Sequence, residues 1–332
     1  WAGEPERVYE TEVSGVRIRT PMMDIHTVAA GGGSVCRVDG RRLTVGPESA
    51  GCHPGPLCYG RVEAEELTLT DVMLVLGRVR PERFPLPLFD ARARAALEEQ
   101  LGAVQTSFAS VEDLAEGYFE VAVASMSDAI RQVSVARGHD VREHALVVFG
   151  GAGGQAACAI ARRLEMQDVL IPPFAGVLSA YGMGLADVSR HAVTDGGGRS
   201  LDDDLERDFQ RLRREVSTAL VDEGFAEDRI ELTERIDLRY RGTETALTLV
   251  RAGDNLRWAF EQAHRDRFGY ARPEHPIEVV GLRVDGAGRL GGAHDVVPPT
   301  AGGRLQALGR LFTQGRWYEG VPIIDRDQLS TE

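Results

Sequence analysis

The 332-residue sequence predicts a mixed α/β fold, and three regions lead to that prediction. In the first sixty residues, apolar and polar side chains alternate between turn signals, which is typical of strands and hairpins. Residues 110–138 carry apolar side chains at helical spacing. Residues 144–166, "HALVVFGGAGGQAACAIARRLEM", have the pattern of a strand, a glycine turn and a helix. We therefore expect an α/β domain that begins with hairpins.

A second domain is expected after residue 197. The segment "DGGGRSLDDD" at 195–204 is a polar, glycine-rich join. Beyond it, helix and strand patterns alternate again, as in an α+β module. The sequence predicts domains at 1–197 and 198–332, the second incomplete, so we expect a segment of a longer polypeptide or a subunit of a larger assembly.

Composition narrows the possible function. The chain is 43% hydrophobic and 27% charged, as in ordinary globular proteins, and its net charge is −13. That charge argues against nucleic-acid binding. No apolar run reaches the roughly 20 residues of a membrane span. Every basic residue is arginine, so no lysine of this chain can be catalytic. The four cysteines form no CxxC pair, and we expect a reduced, cytoplasmic setting.

Local signals predict the elements before residue 140. Residues 8–20 are expected to form a strand hairpin and "MDIHTV" at 23–28 a further strand. Asp39-Gly40 predicts a hairpin turn between two β-prone runs. A helix is expected over 68–79, capped at Thr70 or Asp71, and another over 90–104. The helix at 110–138 is expected to begin at Ser110 and stop at Gly138.

The later elements follow the same reasoning. "DVLIPP" at 168–173 is expected to be a short buried strand, and 176–188 a helix dotted with glycines. Helices are expected over 205–224 and 256–269, with strands over 230–250. The string "DGAGRLGG" at 285–292 satisfies GxGxxG but precedes no helix pattern, so we expect a surface turn there.

Two glycine turns are candidate binding elements. Gly31, Gly32, Gly33 and Ser34 lie between strands, and the run from Gly150 to Gln155 lies between a strand and a helix. Bare amide N–H groups and a helix N-terminus favour anions. The alternatives are a loose turn for the first and tight packing for the second.

Three side chains are candidates for catalysis. Asp24 and His26 are two apart on the expected strand and would share a face, and His53 follows in a proline-glycine loop. They could hold a divalent metal, or orient a water or a substrate carbonyl. Alternatively, His26 is a satisfied strand residue and His53 faces solvent. Cys58 has no obvious paired base, and we expect it to be buried, with Cys158 in the core.

Several motifs together resemble a known family. The strand, acid and GGGS turn resemble the second phosphate-binding loop of the actin, sugar-kinase and heat-shock ATPase superfamily, and "LVVFGGAGGQAACAIA" looks like its adenosine loop. "DIHTVAAGGGS", "VGPESAGCHPGPLCYG", "LTLTDVMLVLGR", "ARGHD" and "FGGAGGQAACAIARRLEM" resemble, in order, the hydantoinase A, 5-oxoprolinase and acetone carboxylase family. "DLRYRGTETALTL" and "FGYARPEHPIEVVGLRV" are similar to its C-terminal domain.

The resemblance implies a fold and a site. The fold would be the second lobe of an actin/sugar-kinase-like (ribonuclease H-like) ATPase, with an appended α+β domain. ATP phosphates would bind the turn at 31–34 and adenosine the turn at 150–155, through the residues Gly150, Gly151, Gly153, Gly154 and Gln155. Mg²⁺ or another divalent metal would accompany ATP, with Asp24 and His26 as ligands.

The resemblance also implies partners. No sequence here matches the DxGGT-like loop of the first lobe, so that lobe is expected in upstream sequence or another chain. A hydantoinase B-like subunit or domain and a small cyclic amide substrate are expected as well. Two alternatives stay open: an ATP-dependent ketone carboxylase subunit of the same family, and a non-catalytic actin-like lobe with a structural or regulatory role.

Overall fold

The chain divides into two compact units. The computed structural model describes residues 7–8, 11–13, 16–18, 22–23, 25–28, 30–104, 108–135, 138–253, 255–290 and 305–324. The first unit comprises Trp1–Ser179 and Val296–Glu332, and the second comprises Ala180–Asp295. The predicted boundary at 197/198 differs from this division, which lies at 179/180. Residues 296–332, predicted to belong to the second domain, are assigned to the first unit.

The first unit contains hairpins and one parallel strand pair. Its described strands are β1 (Arg7–Val8), β2 (Thr11–Val13), β3 (Val16–Ile18), β4 (Met22–Met23), β5 (Ser34–Asp39), β6 (Arg42–Ser49), β7 (Leu146–Val147), β8 (Val169–Leu170), β13 (Leu305–Thr313) and β14 (Arg316–Ile324). Antiparallel pairs join β1 to β4, β2 to β3 and β5 to β6, and β7 is parallel to β8. A further hairpin joins β13 to β14.

The hairpin predictions are confirmed, and one strand prediction is partly wrong. Gly40, between β5 and β6, has φ +61°, a backbone conformation that glycine adopts without strain. The strand expected over 23–28 ends at Met23, and residues 25–28 are irregular. Asp24 lies outside the described residues. His26 is therefore not part of a strand, and the prediction that it shares a strand face with Asp24 is wrong at His26.

Helix α3 (Val111–Val135) is central to the first unit. It contacts α1 (Leu69–Val75), α2 (Asp90–Ala103) and α4 (Gly153–Leu164). Its Tyr118 and Phe119 are almost fully buried. The hydroxyl of Ser110 accepts a hydrogen bond from the Asp113 amide at 3.1 Å, which confirms the predicted N-cap. Helix α5 (Leu178–Leu185), also predicted, contains the division between the units.

The second unit is an antiparallel sheet with two helices. The strand order is β11 (Leu247–Val250), β10 (Ile230–Tyr240), β12 (Ile277–Gly288), β9 (Val188–Ser200). Helix α6 (Glu206–Asp222) contacts β9, β12 and β10, and α7 (Leu256–Phe268) contacts β11. Apolar side chains of α6 and the sheet form the core, among them Phe209, Leu212, Leu220, Ile236, Leu238 and Leu282. The predicted α+β character is confirmed for this unit.

Two glycine-rich segments predicted as non-regular belong to this sheet. The join at 195–204 was expected to be irregular, but β9 continues through it to Ser200 and pairs with β12. The expected surface turn at 285–292 is wrong for 285–288, which end β12. A Cβ on Gly196 would lie 2.4 Å from the Val279 carbonyl oxygen. These glycines permit close packing, which the local pattern does not reveal.

The described residues contain no helix with both the length and the hydropathy needed to cross a membrane.

The tight packing at Gly286 leads to a stability prediction. A Cβ there would lie 2.3 Å from Val216 Cγ1 and 3.0 Å from Leu220 Cδ1 on α6. We expect Gly286→Ala to lower the free energy of unfolding by about 1–3 kcal/mol, because overpacking displaces α6. Chemical denaturation measures this change. Gly184→Ala is the control, since the added methyl would meet no atom within 4 Å; equal losses from both variants would contradict the packing argument.

Candidate functional site

The turn Gly31–Ser34 is closed by its own hydrogen bonds. The Ser34 amide donates to the Gly31 carbonyl at 3.0 Å, and the Gly31 amide donates to Ser34 Oγ at 3.0 Å. Ser34 is 3% exposed. Its hydroxyl oxygen therefore stabilises the turn, and the predicted contact of Ser34 with a ligand phosphate stays a prediction.

Gly32 is held against the first turn of α1. The amide and the hydroxyl of Thr70 both donate to the Gly32 carbonyl oxygen, each at 2.8 Å. A Cβ on Gly32 would lie 2.7 Å from Thr70 Oγ1, a distance that real Cβ contacts do not reach. Only glycine therefore fits at this position of the turn.

The second turn, 150–155, leads into α4. Gly150 has φ +88°, and its amide donates to the Ala175 carbonyl at 2.7 Å. A Cβ on Gly150, Gly151 or Gly154 would meet no atom of the described structure within 4 Å. Gly153 faces inward, where a Cβ would lie 3.1 Å from Val148 Cγ1. One side of the turn is thus packed and the other is open.

The structure brings the two glycine turns together. A Cβ on Gly32 would lie 3.8 Å from the Cβ of Ala152, although the two residues are 120 positions apart. Among the described residues, no acceptor bonds the amides of Gly32, Gly33 or Gly151. Free amides next to the N-terminus of α4 are suited to an anion. The pairing of the turns, expected from the sequence, is a candidate anion site.

A buried carboxylate, Asp71, organises the neighbouring loop. It is 0% exposed and accepts hydrogen bonds from the amides of Leu57, Cys58 and Thr68 and from the Thr68 hydroxyl, at 2.7–3.2 Å. Thr68 is thus the N-cap of α1 and Asp71 completes its capping box, whereas Thr70 or Asp71 was expected as the cap.

The buried cysteines are unreactive by environment. Burial, reinforced by the nearby Asp71 carboxylate, raises the pKa of the thiols of Cys36 and Cys58 above the ordinary value, so both stay protonated near neutral pH. The expected burial of Cys58 is confirmed. The core position expected for Cys158 is wrong, because its side chain lies on the exposed face of α4.

The predicted catalytic side chains lie in different surroundings. His26 is exposed and lines an open cavity of about 770 Å³ together with Arg42 and Asp128. His53 is exposed in the loop after β6. That loop borders the first turn, since the Ala50 amide donates to the Gly33 carbonyl at 2.9 Å, and Ser49 Oγ at the end of β6 would lie 2.9 Å from a Cβ on Gly33. Within the described ranges, no three His, Cys, Asp or Glu side chains converge as metal ligands. The metal site assigned to Asp24 and His26 stays a prediction.

Sequence reasoning missed two residues of this site. Thr70 was considered only as a cap, and Ser49 was not considered. A Thr-x-x-Asp pattern from Thr68 to Asp71 could have located the true cap. Nothing local indicates that Thr70 reaches a carbonyl 38 positions earlier.

The fold and the paired turns define a mixed α/β protein with a candidate anion site, and comparison with known proteins identifies its family. Residues 1–192 match the hydantoinase/oxoprolinase family. The chain is 36% identical to 5-oxoprolinase 1 of Arabidopsis thaliana, over 98% of this chain and 28% of that protein. It is 35% identical to the caprolactamase subunit alpha of Pseudomonas jessenii, over 82% of this chain and 42% of that one. The chain belongs to the hydantoinase/oxoprolinase family.

Solved structures share its fold. The ATP-dependent caprolactamase of Pseudomonas jessenii matches 94% of this chain with a TM-score of 0.73 and 31% identity. A nucleotide-free acetone carboxylase matches 96% with a TM-score of 0.77 at 21% identity, a likeness of fold alone. This chain spans about half of either solved chain and about a quarter of the Arabidopsis 5-oxoprolinase.

The hydrogen bonds to Asp71 lead to a stability prediction. Asp71→Asn replaces one acceptor oxygen by an amide group that must face N–H donors, so we expect the free energy of unfolding to fall by about 3 kcal/mol. Thermal and chemical denaturation measure the loss. Asp39→Asn at the exposed β5–β6 turn is the matched control. An Asp71 variant as stable as this control would contradict the role of the carboxylate.

Proposed function

We propose that this chain supplies the ATP-binding part of an ATP-dependent cyclic amide hydrolase of the 5-oxoprolinase or hydantoinase type. The observation that carries the proposal is the proximity of the two glycine turns, since a Cβ on Gly32 would lie 3.8 Å from the Cβ of Ala152. Membership of the hydantoinase/oxoprolinase family and the names of the 5-oxoprolinase and caprolactamase relatives support the reaction class. In this proposal the first unit contains the second lobe of an actin-like ATPase.

The proposed chemistry explains why ATP is needed. A lactam is a stable amide, and water attacks its carbonyl carbon poorly. Transfer of the γ-phosphoryl group to the lactam oxygen, with release of ADP, gives an imidate-like phosphate. Water then adds to the carbon, and the ring C–N bond breaks as the departing nitrogen takes a proton, which leaves an acyl phosphate. A second water cleaves the acyl phosphate into the carboxylate and phosphate. Catalysis of the transfer is mostly positioning and charge neutralisation, which backbone amides can supply in a chain without lysine.

The residues have distinct proposed roles. The free amides of Gly32 and Gly33 and the Ser34 hydroxyl would donate to phosphate oxygens, while Gly31, whose amide donates to Ser34 Oγ, would shape the turn. The open side at Gly150, Gly151 and Gly154 would receive adenosine, with Gly153 and Gln155 shaping the turn. Asp24, His26 and His53 are proposed to orient the attacking water or the substrate carbonyl.

Mg²⁺ is proposed to enter with ATP, because it is commonly held by phosphates and one or two carboxylates. Among the described residues, no three His, Cys, Asp or Glu side chains form a group that could hold a metal ion.

Partners are part of the proposal. We propose that the first ATPase lobe and a hydantoinase B-like subunit or domain complete the enzyme, the latter for the hydrolytic step. The name "subunit alpha" of the caprolactamase relative implies a multi-subunit protein in that case.

The reaction can be tested directly. The complete assembly would be assayed for ADP release with 5-oxo-L-proline, a hydantoin, caprolactam and acetone, and the ring-opened product quantified. We expect a cyclic amide to stimulate ADP release with stoichiometric ring opening. Stimulation by acetone alone would assign the ketone carboxylase alternative, and ATP turnover that no substrate changes would favour the non-catalytic lobe.

The phosphate turn leads to a binding prediction. Gly32→Val places a side chain where Thr70 Oγ1 lies 2.7 Å from the Cβ, so the turn must shift. We expect the ATP dissociation constant to rise about ten-fold or more, as measured by calorimetric titration. Gly102→Val, in open space on α2, is the control. Unchanged ATP binding by the Gly32 variant would reject the phosphate-loop assignment.

A further inference from the structure

Arg78 lies just beyond α1 and reaches the second glycine turn. Gly77, with φ +75°, ends the helix, and the Arg78 amide donates to the Met73 carbonyl at 2.9 Å. The guanidinium carbon lies 3.9 Å from the centre of the Phe119 ring, and Nη1 lies 3.4 Å from the carbonyl oxygen of Gln155 in the first turn of α4. The side chain therefore lies between α3 and the start of α4.

Arg78 is half-buried, and its guanidinium has few partners. In the part of the chain that the structure describes, no carboxylate forms an ion pair with Arg78, and its buried Nε has no hydrogen-bond partner. Burial lowers the pKa of Arg78, and the more distant Glu116 and Glu120 offset only part of that effect. A cation that loses part of its hydration without gaining an ion pair adds little to stability, so its replacement by an apolar side chain of similar shape is expected to be close to neutral. Stability alone therefore gives little reason for an arginine at this position.

The other end of the same helix holds the first glycine turn. The amide and hydroxyl of Thr70 both bond the Gly32 carbonyl at 2.8 Å. Helix α1 has seven residues and is about 10 Å long. It thus contacts the first turn at its N-terminal end and, through Arg78, the second turn just past its C-terminal end.

We propose that Thr70 and Arg78 are positioning residues and that α1 is a strut that sets the separation of the two glycine turns. The turns then present their amides to one nucleotide without rearrangement. Neither side chain is assigned to touch ATP; each acts through a backbone carbonyl, Gly32 for Thr70 and Gln155 for Arg78. This inference rests on the proposed ATP site.

The test compares nucleotide affinity with stability in the complete assembly. Arg78→Met keeps an apolar side chain of similar length against Phe119, and Thr70→Val keeps the shape without the hydroxyl. We expect each variant to raise the ATP dissociation constant about ten-fold, because one fixing contact is lost. For Arg78→Met the midpoint of thermal unfolding should stay the same or rise. In the double variant, the fold-increase in the ATP dissociation constant should be smaller than the product of the two single fold-increases, because both residues set one geometry.

Arg131→Met is the matched control for Arg78. Arg131 donates to the Arg163 carbonyl at 2.7 Å, near the other end of α4, and is exposed. The Arg131→Met variant should leave ATP affinity unchanged, because the proposal assigns the effect on affinity to the contact with the first turn of α4. Arg78→Lys keeps a donor but loses the planar contact with Phe119, so an intermediate affinity is expected.

The outcomes separate the two proposals. Wild-type affinity in both single variants, or a loss of affinity that parallels a loss of stability, would overturn the strut while leaving the ATP site intact. An equal loss in the Arg131 variant would also overturn it. If the unmodified assembly does not bind ATP, both the strut and the proposed function are rejected.

Discussion

Two hydrogen bonds from Thr70 to the carbonyl of Gly32 fix the element on which the candidate site depends. They place the first glycine turn on the N-terminal end of α1, where the turn also meets Ala152 of the second. Because the contact leaves no room for a Cβ, the glycine and the threonine constrain each other. The side chains of Val72 and Leu74 on α1, and of Leu76 just after it, are buried and tie this local geometry to the core.

Asp71 performs the complementary task on the other side of α1. Its carboxylate satisfies three backbone amides and one hydroxyl in a site closed to water. A buried carboxylate is tolerated only when donors surround it, so the loop at 57–58 and the start of α1 must keep their relative positions. This fixed loop and helix start support the first glycine turn, in which the amides of Gly32 and Gly33 have no acceptor among the described residues. A turn held in one conformation, with amides free to donate, can bind a ligand through its backbone without rearrangement.

The success of sequence reasoning followed the range of the interactions involved. The β5–β6 hairpin was predicted from Asp39-Gly40 and α3 from its apolar spacing and Ser110, since these signals act within a few residues. The two glycine turns were identified because glycine runs are conspicuous and matched a family pattern. Asp24, a central candidate, lies outside the described residues, and the roles of His26 and His53 stay predictions.

The sequence by itself determined the local elements, the mixed α/β character and the family, because these depend on short-range backbone preferences and on motif order. Only the tertiary structure decided that 195–200 and 285–288 are strands, that Cys158 is exposed, and that Thr68 rather than Thr70 caps α1. It also decided that Gly32 lies next to Ala152 and that Arg78 donates a hydrogen bond to the Gln155 carbonyl. The physical reason is that each of these features depends on which atoms become neighbours across tens of residues, and a glycine that permits close packing has the same local pattern as one that makes a turn.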